Sequence, residues 1–148
     1  MSCQKLAVYA LIICVVLLSG CKKGKPVAEN DADIDLMQGT WKGAEVGREG
    51  EWILIIAGEK ITVDGPGPED YVGTLALDET TTPKSVVLTI DECGFEQYIG
   101  AKANNLYKIE DGKLTIAGTE PGSGMIPSSF EPGNGTRVFE LTKADVQQ

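Results

Sequence analysis

The chain has 148 residues, with 13 Lys and Arg against 22 Asp and Glu, a formal net charge of -9 and no histidine. That length holds one small domain with appendages, since a second core needs roughly 100 further residues. The lack of histidine excludes Ser-His-Asp and Cys-His catalysis and every His-ligated metal site, and the acidic balance argues against a nucleic-acid partner, whose phosphates are met by Lys and Arg.

The N-terminus carries an address. Lys5 supplies a positive charge, and Leu6 to Leu18 (LAVYALIICVVLL) is an uncharged run of 13 residues. As a helix at ~1.5 Å per residue it reaches about 20 Å, short of a ~30 Å bilayer core. It is therefore read as the apolar region of a signal peptide spanning residues 1–20, not as a permanent span. Leu18-Ser19-Gly20-Cys21 resembles the bacterial lipobox, which implies that the Cys21 thiol takes up a diacylglyceryl group and becomes the mature N-terminus. Membrane affinity grows by ~0.8 kcal/mol per buried methylene, so two or three acyl chains anchor the protein where one holds it marginally. The expected partner is thus a membrane, reached through lipid on Cys21. The expected location is the bacterial cell envelope, with Lys22 in place of Asp leaning towards the outer membrane. Cys3 and Cys14 leave with the signal and Cys21 is lipidated, so Cys93 stands alone and no internal disulfide is expected. Cys93 is read as a small buried or half-buried hydrophobe in preference to a reactive thiol.

Residues 21–35 are expected to form a lipidated, flexible linker. Between Lys22 and Asp35 only Val27 and Ile34 are sizeable apolar groups, too few to repay the entropy of ordering. A short helical turn near Ala28 to Met37 is allowed. Asp31 to Asp35 has the acidic spacing of a calcium loop, but Leu36 stands where Gly is needed and Lys42 where Glu is needed. No metal or cofactor is expected.

From Leu36 on, apolar residues alternate with period two and turn residues recur every eight to twelve positions, which predicts an antiparallel meander. The strands expected are Gly39 to Val46, Glu51 to Ala57, Lys60 to Asp64, Tyr71 to Asp78, Lys84 to Asp91, Tyr98 to Ile109, Lys113 to Ala117 and Thr136 to Lys143. Asp111-Gly112 is a strong two-residue hairpin turn, and Gly65-Pro66-Gly67-Pro68 cannot be strand. Asn134-Gly135-Thr136 spells a glycosylation sequon but reads as another hairpin turn. Eight strands on short turns suit a closed up-and-down barrel, whose closure removes exposed edges and whose interior is filled by side chains or holds one small ligand. The barrel is assigned to residues 36–143 and a C-terminal tail to 144–148. Residues 36–143 hold nine basic and 17 acidic side chains, a net charge of -8.

Leu36-Met37-Gln38-Gly39-Thr40-Trp41-Lys42 resembles the opening of a lipocalin-like domain family common in planctomycete-type bacteria. So do Gly58 to Val63, Gly73 to Asp78, Pro83-Lys84 before the Val86 to Thr89 strand, the Tyr107 to Ile116 hairpin and Pro127 to Phe130. The resemblance covers residues 36–143 and implies a small exported up-and-down barrel with no established activity. Asp91 to Gln97, which includes Cys93, departs from the pattern. So does Ile126, which stands where the family pattern has Arg before Pro127.

Trp41 is read as the plug of the closed barrel end, the alternative being a ligand-stacking wall; an indole buries roughly 150–250 Å². Trp52, Leu54 and Ile56 share one face of their strand and Ile53 and Ile55 the other, which suggests a central strand or a covered outer face, or else an interaction patch. Glu69-Asp70, Asp91-Glu92 and Glu110-Asp111 are read as solvated turns, not as catalytic carboxylates, because adjacent strand residues point to opposite faces. Glu120 to Gly124 lacks the Lys and following helix of a phosphate loop. No enzyme is expected. The leading expectation is a lipid-anchored protein binding a small, partly apolar ligand in a cavity of ~300 Å³ or more, lined by inward residues such as Leu75, Leu88 and Phe139. The alternative is a solid barrel whose rim contacts another envelope protein.

Overall fold

A computed structural model describes residues 32–145. The signal peptide, Cys21, most of the linker and the last three residues lie outside the described residues. A short helix α1 (Asp33–Met37) leads into eight strands: β1 (Gly39–Glu45), β2 (Trp52–Ala57), β3 (Lys60–Asp64), β4 (Tyr71–Asp78), β5 (Ser85–Cys93), β6 (Lys102–Glu110), β7 (Lys113–Thr119) and β8 (Thr136–Lys143). Each strand pairs antiparallel with the next, and β8 returns to β1, which closes the barrel in the order β1 to β8. All eight are thus paired on both edges within residues 39–143, and the barrel needs no strand from elsewhere. This is the closed eight-stranded up-and-down barrel that the alternation predicts.

The period-two pattern decides which side chains point inward. Trp41, Trp52, Leu54, Ile56, Ile61, Val63, Leu75, Leu88, Ile90, Tyr107, Leu114 and Leu141 are buried in one interior cluster. Ile55, on the opposite face of β2, is 47% exposed, so among the described residues nothing covers the outer wall there. β1 and β8 approach so closely at Gly43 that a Cβ would lie within 2.8 Å of the Glu140 and Leu141 backbone. Only glycine fits this seam. A smaller outer cluster joins Leu106, Ala117 and Val138 to Phe130, so the β7–β8 connection folds back onto the wall.

The two ends of the barrel differ. At the end where the chain enters, the connections are tight: Gly58-Glu59, Glu79–Lys84 and Asp111-Gly112. Asp111 (φ 50°) and Gly112 (φ 73°) both take the left-handed conformation that a two-residue hairpin needs. Longer connections gather at the other end: 46–51, 65–70, 94–101 and 120–135. Asn134 (φ 52°) and Gly135 (φ 81°) make the tip of the last one a hairpin turn, closed by backbone hydrogen bonds between Gly133 and Thr136.

Several boundaries depart from expectation, β7 running on to Thr119 among them. Helix α1 brings Asp33 into the fold; it is 9% exposed, so the packed chain begins inside the stretch read as linker. The strand expected from Tyr98 starts only at Lys102. Tyr98 ends a 3-10 turn over Glu96–Tyr98, and Gly100 at φ 81° turns the chain before β6. β5 runs on to Cys93, with a bulge in its pairing at Val72/Gly73; a bulge bends a strand and raises its twist.

Candidate functional site

The entry end is sealed. Trp41 is 1% exposed, its indole Nε1 donates to the Met37 carbonyl at 2.7 Å, and the Lys143 ammonium lies 5.4 Å from its ring centroid. Tyr107 donates to Asp33 Oδ2 at 2.8 Å, Lys84 Nζ donates to the same oxygen at 2.6 Å, and the Asp33 amide donates to Glu79 at 3.2 Å. The hydrogen bond to Lys84 pins α1 across the barrel base and holds that lysine charged. Of the acids at 31–35, Asp33 is engaged in this packing, Asp35 is exposed and Asp31 lies outside the described residues.

The opposite end is a cup of about 780 Å³. Its apolar wall comes from Leu88, Ile90, Ala103 and Phe139, contributed by β5, β6 and β8. Two of the residues named for a cavity, Leu88 and Phe139, are thus on its wall. Leu75, the cross-strand partner of Leu88, is buried in the interior cluster and does not line the cup. Cys93 is half-buried at the cup wall, its thiol donating to the Phe95 carbonyl at 3.0 Å.

Across the mouth runs an ionic strap. Arg137, inward on β8, donates through Nε to Glu45 Oε1 at 3.0 Å and through Nη2 to Glu45 Oε2 at 2.5 Å. Its Nη1 and Nη2 both reach Glu69 Oε2 at 3.0 Å. Arg48 adds a contact to Glu45 at 3.2 Å. The guanidinium lies 5.2 Å from the Trp52 ring centroid and 5.3 Å from that of Phe139, and the two rings meet edge to face. Bidentate pairing holds the Arg137 guanidinium more firmly charged than usual. Burial pushes the Tyr71 hydroxyl up to about 12, against the pull of Arg137.

Glu69 therefore departs from the solvated-turn reading, and Asp70 lines the cup beside it. Asp91 points outward, where Lys60 and Thr74 hydrogen-bond to its Oδ2 at 2.7 Å each and hold its carboxyl below the usual range. Glu110 and Asp111 remain at a hairpin. Arg137 and Glu45 carried no flag from composition, but their parity marks them: Arg137 alternates with inward Phe139 and Leu141, and Glu45 with inward Trp41. Opposite Arg137, Gly118 keeps the space for the Asn105 side chain, whose Oδ1 a Cβ would meet at 2.4 Å.

The rim is apolar as well as charged. Phe95 (40%), Ile99 (51%), Met125 (45%) and Ile126 (74%) are all exposed on two of its connections. The two are joined where Tyr98 donates to Glu120 at 2.5 Å. What the arrangement offers is enclosure and selection by charge.

Comparison with protein-family models and with curated proteins gives no match. Among solved structures, the chain is similar to a crystal structure of a point mutant of the fluorescent protein UnaG, at 15% identity, covering 76% of this chain and 99% of that one, with a TM-score of 0.44.

Proposed function

We propose that the protein is a lipid-anchored envelope lipoprotein, held by acyl chains on Cys21, whose lipocalin-like barrel binds a small, partly apolar molecule without transforming it. The observation that carries the binding half is the open cup with Leu88, Ile90, Ala103 and Phe139 on its wall. A packed barrel of this strand number needs no such space, and ligand sites of ≈ 300–1,000 Å³ with apolar walls and few polar groups are the norm. The anchoring half is supported by the lipobox-like Leu18-Ser19-Gly20-Cys21 and the short apolar run before it.

Native mass spectrometry of the chain from residue 22 onward, which retains every element of the barrel, tests the first half. A small-molecule adduct lost by Ala103→Phe, which sets a phenyl ring on the apolar wall of the cup, is expected; a bare polypeptide mass that also fails to take up amphiphilic dyes would contradict it. For the anchor, Cys21→Ser should shift the protein from the membrane to the soluble fraction. Unchanged membrane retention, with no acyl mass on the wild type, would refute lipidation. A second reading, docking of an envelope protein on the rim, is favoured by exposed Phe95, Ile99, Met125 and Ile126. Charged substitutions at Ile99 and Ile126 that abolish function while leaving ligand uptake intact would select it.

A further inference from the structure

The geometry points to a ligand that carries a cationic, hydrogen-bond-donating head group on its apolar body, seated with the head against Glu69 and Asp70 at the mouth of the cup. This rests on the cup being a ligand site and deepens that reading by assigning the ligand's charge.

An inward arginine in a barrel would ordinarily suggest a carboxylate ligand, because its planar fork matches one. Here that fork is already used. Nε, Nη1 and Nη2 of Arg137 all donate to Glu45 or Glu69, so two carboxylates neutralise one guanidinium. An entering anion would have to displace one of them and then face both. The unused capacity is on the acceptor side. Arg137 takes only Oε2 of Glu69, which leaves Oε1 of the same carboxylate open at 37% side-chain exposure.

The balance over the whole cup has the same sign. Its wall carries Glu45, Glu69, Asp70 and Glu120 against Arg48 and Arg137, with no lysine, a formal charge of -2. Low-dielectric walls focus such a field, and it would raise the local concentration of cations over anions. Trp52 and Phe139 cannot supply the usual aromatic cage for a cation, because Arg137 already covers them. Recognition therefore falls to the carboxylates, with Phe139 and Leu88 left to hold the apolar body.

The test uses one dansyl ring on matched alkyl chains ending in an ammonium, a hydroxyl or a carboxylate, titrated by fluorescence into the chain from residue 22 onward, with a cooperative melt as the check on folding. The ammonium probe is expected to bind about ten-fold or more tightly than the hydroxyl probe, and the carboxylate probe more weakly than both. The preference should shrink as salt rises. Glu69→Gln and Asp70→Asn should each reduce the preference for the ammonium over the hydroxyl probe; Asp70→Asn leaves the strap in place and so serves if Glu69→Gln loosens the rim. Equal binding of the three probes, or tighter binding of the carboxylate, would overturn the charge assignment and leave the cup as a ligand site. Failure of all three to bind would overturn the ligand site itself and the charge assignment with it. A preference that survives both substitutions would show that other groups hold the head.

Discussion

The two ends of this barrel use the same materials to opposite effect. Each gathers an aromatic residue, a buried acid and a cation. At the base these are Trp41, Asp33 and Lys84, and at the mouth Trp52, Glu45 and Arg137. The base adds a helix laid across it and short turns, so its polar groups close on each other over a filled interior. The mouth has longer connections, and one of them, 120–135, rims the opening at its two ends and lays Phe130 against the outer wall. Its ion pairs therefore span a space instead of sealing one. Packing and open space are divided along the barrel axis: the base supplies the packing and the mouth the space.

That division can be broken most severely at the base. Trp41→Ala should cost about 3–5 kcal/mol, as for a large aromatic truncated in a close-packed core. Phe139→Ala, on the wall of the cup, should cost roughly half as much, since one side of its ring already lacks packing partners. Urea denaturation of the two variants checks this, and equal losses would mean that the mouth is as tightly packed as the base.

Arg137→Met ranks next. It leaves Glu45, whose side chain is 6% exposed, without its principal partner. A fully enclosed pair broken this way loses 3–5 kcal/mol. Here about 2–3 kcal/mol is expected, because Arg137 is 33% exposed and Arg48 remains on Glu45. Glu45→Gln made together with Arg137→Met should recover part of that loss, which a double-mutant cycle measures.

Alkaline pH should probe Tyr71. Its hydroxyl ionises near 10 in the unfolded chain but is held up to about 12 in the barrel. Between those values the unfolded state releases a proton that the folded state keeps. Stability is thus complete below pH 10 and falls as pH rises through 12, by up to about 2–3 kcal/mol. Tyr71→Phe should lessen that fall and leave the part due to Tyr107, whose hydroxyl is also pushed up by burial and by its bond to Asp33; an unchanged slope would place the effect elsewhere. Smallest is Tyr107→Phe, which removes one of the donors to Asp33 while Lys84 stays bound. About 1 kcal/mol is expected, read as a melting shift without change in probe binding.

Much of this architecture is legible in the sequence because a barrel wall obeys a local rule. Alternation in KITVD, KSVVLTID and TRVFELTK sets both the strands and their inward faces, and Asp111-Gly112 and Asn134-Gly135 mark turns through their backbone conformation. Tyr98 and Ile99 mislead because their apolar character suits a strand, whereas Gly100 turns the chain and the Tyr98 hydroxyl is drawn to Glu120. The mouth is harder to read because its strap joins positions 92 and 68 residues apart, and nothing local to Glu45, Glu69 or Arg137 announces the meeting. Parity could have placed Glu45 and Arg137 inside. Glu69, on an irregular connection, has no parity to follow, and Asp33 precedes the first strand altogether.

The most direct measurement is a methyl and indole NMR titration of the protein with the ammonium-terminated dansyl probe. Shifts at the methyls of Leu88 and Ile90, with the Trp41 indole N–H and the Leu114 methyls unmoved, are the predicted result. Shifts spread evenly along the barrel axis, or none at any probe concentration, would contradict a filled base beneath a receptive mouth.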